Sequence, residues 1–154
     1  MASHGRTKVL FVCLGNSCRS PMAEAIAAHI ASDVMEVSSA GLVALGHVES
    51  MTKATLGKNG YPADGLRSKL LRFADLEDAD IVVNMTGCPG ILSLDEPKVE
   101  DWDVEDPYGD DSETYQRVFM DVERRVTLLV SRVRESRAKE GTVAQIRNKG
   151  SGPC

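Results

Sequence analysis

The sequence predicts an α/β protein with a parallel sheet, and three observations lead there. Two runs, Val9-Leu-Phe-Val-Cys13 and Ile81-Val-Val-Asn-Met85, are apolar and β-branched, as strands buried on both faces of a parallel sheet are. Segments of helical periodicity alternate with strand-like ones, the pattern of βαβ units. Between the first strand and the first helix stand Gly15, Asn16 and Ser20-Pro21, residues that break a strand and open a helix.

In chain order, residues 1–7 are polar and are expected to be a flexible N-terminus. The first strand is Val9 to Cys13. Ser20 is a good N-cap and Pro21 suits the first helical position, and Met22, Ala23, Ile26 and Ile30 recur at helical spacing through about Ala31. A second strand fits Met35 to Ser39, closed by Ala40-Gly41. A helix fits Ser50 to Lys58, with Asn59-Gly60 as its stop. Another occupies part of Ser68 to Asp78, before the strand Ile81 to Met85. A short fourth strand lies near Val99 to Trp102. From Ser112 to about Arg137 a long helix carries Tyr115, Val118, Phe119, Val122, Val126, Leu129, Val130 and Val133 on one side. Residues 138–154, rich in Gly, Lys and polar side chains, read as a disordered tail.

The 154 residues suit one domain, and 42 % apolar with 27 % charged is a soluble globular profile. No apolar run approaches the roughly 20 residues of a membrane span. The N-terminal apolar run stops at Leu14, too short for a signal peptide, so the expected address is cytoplasmic, with no membrane partner. A net charge of −5 argues against nucleic acid. The acidic excess concentrates between Asp95 and Glu113, where Lys98 is the one basic residue, and most of it reads as a solvated loop. Cysteines stand at 13, 18, 88 and 154, without the density of a disulfide framework or the paired spacing of a zinc site. No metal is expected, and Cys154 reads as an inert tail thiol.

The functional signal is Cys13-Leu14-Gly15-Asn16-Ser17-Cys18-Arg19-Ser20. A cysteine, five residues, then arginine and a hydroxyl sit between a strand and a helix. There the loop amides converge into a concave nest at the positive end of the helix dipole. Gly15 permits the close turn. Arg19 offers an oxyanion two parallel hydrogen bonds, which lysine does not. The same surroundings favour the thiolate of Cys13, and Ser20 can donate to it. Asn16 can brace the loop. The bland alternative, a cysteine merely buried at a strand end, leaves Gly15, Asn16, Arg19 and Ser20 at these offsets as coincidence.

Cys13 to Glu24, CLGNSCRSPMAE, closely resembles the active-site loop of the low-molecular-weight protein tyrosine phosphatases. That superfamily also holds protein arginine phosphatases and thioredoxin-coupled arsenate reductases. The resemblance continues through Ser39-Ala40-Gly41, Asp80 to Met85 and Asp106-Pro107-Tyr108, nearly everything up to about Arg137. It implies one domain over residues 8–137, a three-layer α/β/α fold of the phosphotyrosine phosphatase I type with a four-stranded parallel sheet and the site at the strand C-terminal edge. The implied activity is hydrolysis of phosphomonoesters, phosphotyrosine in proteins or small phosphoesters, through a phosphocysteine on Cys13 and without cofactor.

Phosphoryl transfer from oxygen to sulfur needs a positioned acid for the departing oxygen. In sequence Asp106 is one acid among many, and a surface turn is its ordinary reading. The matching Asp-Pro of the resembled family assigns it the proton for the leaving group and the later activation of water, while Pro107 stiffens the loop. Tyr108 stands where the family places an aromatic lining the substrate slot, and Leu45 lies near the opposite wall. Gly109 replaces a second tyrosine often found there.

Two rivals share the loop. Ser17 and Trp102 look like arsenate reductases, and Cys88-Pro89 aligns with their last relay cysteine, which would bring in thioredoxin. The expected partner cysteine is missing from Asn84-Met85-Thr86-Gly87, and Pro21 is phosphatase-like. Arginine-specific members carry Thr where this chain has Ser17, which leaves that distinction open. A non-catalytic anion-binding module ranks last, since it needs neither Cys13 nor Asp106. Cys18 is either a packed loop residue or the partner of Cys13 in a reversible protective disulfide. His4, His29 and His47 lack motif context.

Overall fold

The structure, a computed structural model, describes the backbone of residues 5–92 and 98–150 and side chains as far as residue 141. Residues 1–4 of the expected flexible N-terminus, 151–154 of the expected tail with Cys154, and Asp95 and Glu96 of the acidic run lie outside the described residues. The chain forms β1 (Thr7–Cys13), α1 (Arg19–Ala31), β2 (Met35–Gly41), α2 (Ser50–Lys58), α3 (Phe73–Asp78), β3 (Ile81–Asn84), β4 (Val99–Asp101) and α4 (Ser112–Gly150).

The strands make one parallel sheet in the order β2-β1-β3-β4, the α/β class and four-stranded sheet that the sequence predicts. Side chains of β1 alternate between two cores. Val9, Phe11 and Cys13 face the core built with α1 and α4, while Leu10 and Val12 face Leu76 of α3 and Leu92. Along α4 the stripe from Tyr115 to Val133 is buried as its periodicity requires. Because β1 connects to β2 on one side while its other neighbour β3 connects to β4 on the other, the connections leaving the C-terminal ends of β1 and β3 part company there. In open parallel sheets such a switch point is where a crevice opens. No helix among the described residues is long and apolar enough to cross a membrane.

Three expectations need correction. The tail expected to be disordered from residue 138 is helical as far as Gly150. Its composition also holds strong helix formers, Ala138, Lys139, Glu140, Ala144, Gln145 and Arg147, and no proline intervenes before Pro153. Gly141 weakens such a helix by only about 1 kcal/mol. The first helix begins at Arg19, not at Pro21, and Cys18 flanks it with no side-chain cap; the Ser20 hydroxyl has another use, described below. Third, several carboxylates of the acidic run are bonded rather than merely solvated. Asp111 accepts the Thr114 N–H at 2.9 Å and caps α4, and that bond holds its carboxyl below the usual range.

Candidate active site

Cys13 ends β1, 2 % exposed, at the floor of a cavity of about 170 Å³. Leu14, Gly15, Ser17, Cys18 and Arg19 form its base, and Val43, Leu45, Asp106 and Tyr108 its walls. The predicted loop and acid are therefore brought together. Asn16 and Ser20 lie behind the loop, fully buried.

Those two residues set the polarity of the sulfur's surroundings. Cys13 Sγ lies 2.9 Å from Ser20 Oγ. Asn16 Nδ2 donates to Ser20 Oγ at 2.8 Å and to Ser39 Oγ at 2.9 Å, while its Oδ1 accepts the Lys69 N–H at 2.7 Å. With its oxygen already accepting from Asn16, Ser20 has its own proton free to point at the sulfur. Ser39 in turn donates to Glu24. Five side chains thus run from sulfur to carboxylate, all satisfied, as a buried polar network must be.

The loop is turned inside out relative to its neighbours. Carbonyls of Cys13, Leu14, Gly15 and Ser17 accept from the N–H groups of Leu42, Val43, Leu45 and Glu49 at 2.9–3.2 Å. The Ser17 carbonyl also accepts from Thr52 Oγ1 at 2.9 Å, and the Ser17 hydroxyl donates to the His47 carbonyl at 2.9 Å. In a trans peptide the C=O of one residue opposes the N–H of the next. Anchoring the carbonyls toward residues 42–52 turns the following N–H groups away from that segment, as an anion nest requires.

The tight turn comes from Asn16, with φ +50°, and not from Gly15 as the sequence suggests. Gly15 is needed for a different reason: a Cβ there would lie 2.9 Å from the Leu45 side chain that crosses it. Gly41 is tighter still. A Cβ would meet the carbonyls of Val43 and Leu14 and the amide of Asn16 at 2.6–2.8 Å, all backbone. Gly41→Ala should therefore displace the loop and cost about 1–3 kcal/mol, read as a lowered urea midpoint; unchanged stability would show that the loop can yield.

Arg19 is 5 % exposed at the start of α1. One terminal nitrogen donates to the Val104 carbonyl at 3.4 Å and the other lies 3.4 Å from Asp106 Oδ2. Its Nε is buried without a partner among the described residues. Asp106, half-exposed at the mouth, also accepts the Tyr108 N–H at 3.1 Å, while Pro107 beneath it is buried. Leu45 and Tyr108 line the cavity. Val43, which the sequence does not mark, lines it too, because it pairs with Leu14 one step beyond the β1–β2 ladder.

The remaining cysteines separate. Cys18 lines the same cavity, with Sγ 3.4 Å from the Tyr115 hydroxyl. Burial pushes its thiol up, an effect that the hydrogen bonds from Tyr115 and Thr52 oppose. Cys13 and Cys18 are both free thiols. Cys88 is exposed and lines a different cleft, with Asn84, Asp101, Trp102 and Asp103; it does not line the Cys13 cavity. Trp102 is a core residue packed at 6.0 Å on Phe11.

Residues 8–89 match the low molecular weight phosphotyrosine protein phosphatase family. A glutaredoxin arsenate reductase of Synechocystis sp. is 33 % identical over 129 residues, covering 82 % of this chain and 98 % of that protein. A low molecular weight protein tyrosine phosphatase from T. tengcongensis superimposes with a TM-score of 0.74 at 32 % identity, over 82 % of this chain and 99 % of that one. The YwlE arginine phosphatase from Geobacillus stearothermophilus gives 0.78 at 27 % identity, over 86 % and 96 %. This chain, with its Cys13-to-Arg19 loop beyond the central strand, belongs to the low molecular weight phosphotyrosine protein phosphatase family.

Proposed function

We propose that this protein hydrolyses phosphomonoesters, phosphotyrosine in proteins above all, through a phosphocysteine on Cys13, in the reducing cytoplasm where that thiol persists. The observation that carries the reading is Arg19: a buried guanidinium with an Nε unpartnered among the described residues, lining the same cavity as Cys13 and lying 3.4 Å from Asp106. A buried donor left unpaired costs about 1–3 kcal/mol, and an oxyanion in the nest relieves that cost.

In the first step the sulfur's electron pair forms the S–P bond while the P–O bond to the leaving group breaks. Arg19 and the loop N–H groups hold the equatorial oxygens, whose charge is spread in the transition state. Asp106 gives its proton to the departing oxygen and becomes a carboxylate. In the second step that carboxylate takes a proton from water, the water oxygen bonds to phosphorus, and the S–P bond breaks. Ser20 then donates to the returning thiolate. Leu45, Val43 and Tyr108 offer an aryl group apolar walls.

Arsenate reduction is the second reading, favoured by the reductases among the relatives and by exposed Cys88 in the connection after β3, next to β1. Against it, Cys88 lies outside the cavity, and residues 84–87 hold no second relay cysteine. For phosphoarginine, Ser17 gives no support, since its hydroxyl is committed to His47. The test incubates reduced protein with p-nitrophenyl phosphate and, separately, with arsenate and a thioredoxin regenerating system. Nitrophenol release without arsenate-dependent reductant consumption is expected. Consumption that needs both arsenate and Cys88, with no nitrophenol, would replace the hydrolase reading by the reductase.

A further inference from the structure

The segment that carries Asp106 has no strand or helix between residues 102 and 111, yet it is fastened at regular intervals. It runs along α4 in the opposite direction, and arginines about two helical turns apart on α4 catch it. Arg132 pairs with Glu100 at 2.8 and 2.9 Å, Arg125 donates to the Asp103 carbonyl at 3.0 Å, and Arg117 grips Glu105. The last contact is a fork: Nη2 reaches both carboxylate oxygens, at 3.1 and 3.0 Å, and Nε reaches one at 3.2 Å.

Between buried Val104 and buried Pro107, the backbone presents Glu105 and Asp106 outward. Among the described residues Asp106 contacts the Tyr108 N–H within its turn and Arg19 at 3.4 Å. The Arg19 contact competes with any anion in the nest, because the same guanidinium must serve both. The grip of Arg117 on Glu105 does not involve the nest and survives when it fills.

We propose that Arg117 is a positioning residue for Asp106: by holding Glu105 it keeps the acid over the cavity while Arg19 is occupied by the anion. The role rests on the hydrolase reading above. It concerns local geometry and not overall stability, because an ion pair with both side chains more than half exposed adds little to folding. Arg117→Ala is therefore expected to fold.

The experiment compares kcat/KM for phenyl phosphate, a poor leaving group, with p-nitrophenyl phosphate, a good one, and measures inhibition by inorganic phosphate. Arg117→Ala should lose about tenfold on phenyl phosphate and about twofold or less on p-nitrophenyl phosphate, with phosphate inhibition within about twofold of wild type. Arg117→Lys should recover part of the loss, since it keeps the charge without the fork. Arg132→Ala, which removes the grip on Glu100 of β4, where the strand pairing with β3 already holds the chain, should leave all three unchanged. Equal losses on both esters, phosphate inhibition weakened in step with activity, an equal effect of Arg132→Ala, or no effect of Arg117→Ala would each overturn the role. Wild-type protein that releases neither phenol nor nitrophenol would sink the hydrolase reading and this role with it. An active wild type beside an unaffected Arg117→Ala would remove the role alone.

Discussion

Cys13→Ser should lower nitrophenol release by about 10⁴-fold or more while leaving the fold and phosphate binding in place. On the hydrolase reading the Cys13 sulfur, at the cavity floor beside the Ser20 hydroxyl, attacks phosphorus, whereas the Cys18 thiol in the same cavity is pushed up by burial. A serine hydroxyl at position 13 has no base beside it, since its neighbour Ser20 is a donor already oriented by Asn16. The substitution shortens one bond and exchanges one buried two-heavy-atom side chain for another, so packing against Met22 and Phe11 in the same core persists. Denaturation midpoint, phosphate affinity and mass spectrometry of acid-quenched protein give the readout. The wild type should show a phosphorylated species and the variant none. Residual turnover near wild type would remove Cys13 from the chemistry.

Asp106→Asn should be the next most damaging change, with a loss of about 10²–10³-fold on phenyl phosphate and a smaller one on p-nitrophenyl phosphate. An amide keeps the size but cannot give up a proton, and the penalty grows with the basicity of the leaving oxygen. A second consequence separates this role from a structural one. Asp106 Oδ2 faces Arg19 at 3.4 Å, so an entering anion meets a carboxylate already paired with its main receptor. Removing that negative charge should tighten inhibition by inorganic phosphate even as turnover falls. Weaker phosphate binding, or equal slowing of both esters, would count against Asp106 as the acid.

The two predictions rest on residues of unequal legibility. Cys13, Arg19 and Ser20 can be read from the chain because they lie within one loop between a strand and a helix, where spacing maps onto geometry. Asp106 cannot: it is one carboxylate in a crowded acidic run, and resemblance to a family singled it out. Its neighbours in that run read as solvated acids, whereas Glu100, Glu105 and Asp111 each have a partner on α4 or its first turn. Those partners lie as far as Arg132, about five to six helical turns along α4, beyond what periodicity alone can assign. Gly15 shows a right residue with the wrong reason. Its loop position suggests a turn, but the turn belongs to Asn16, and the glycine makes room for Leu45, some thirty residues on.

Local order in the chain settles the strand-loop-helix unit, the placing of Cys13 and Arg19 in its loop, and the apolar stripe of α4, because each depends on near neighbours and on a repeat of two or 3.6 residues. The surroundings that make the unit a site come from elsewhere: Ser39 and Lys69 on Asn16, Gly41 beneath the loop, Val43 and Leu45 on its wall, and the arginines of α4 behind Asp106. They reach it because parallel pairing sets Cys13 beside Gly41 and Gly41 beside Leu70, and α4 packs across α1. Such register is a property of the closed sheet, in which every backbone group must find a partner, and it leaves no periodic trace in the sequence that obeys it.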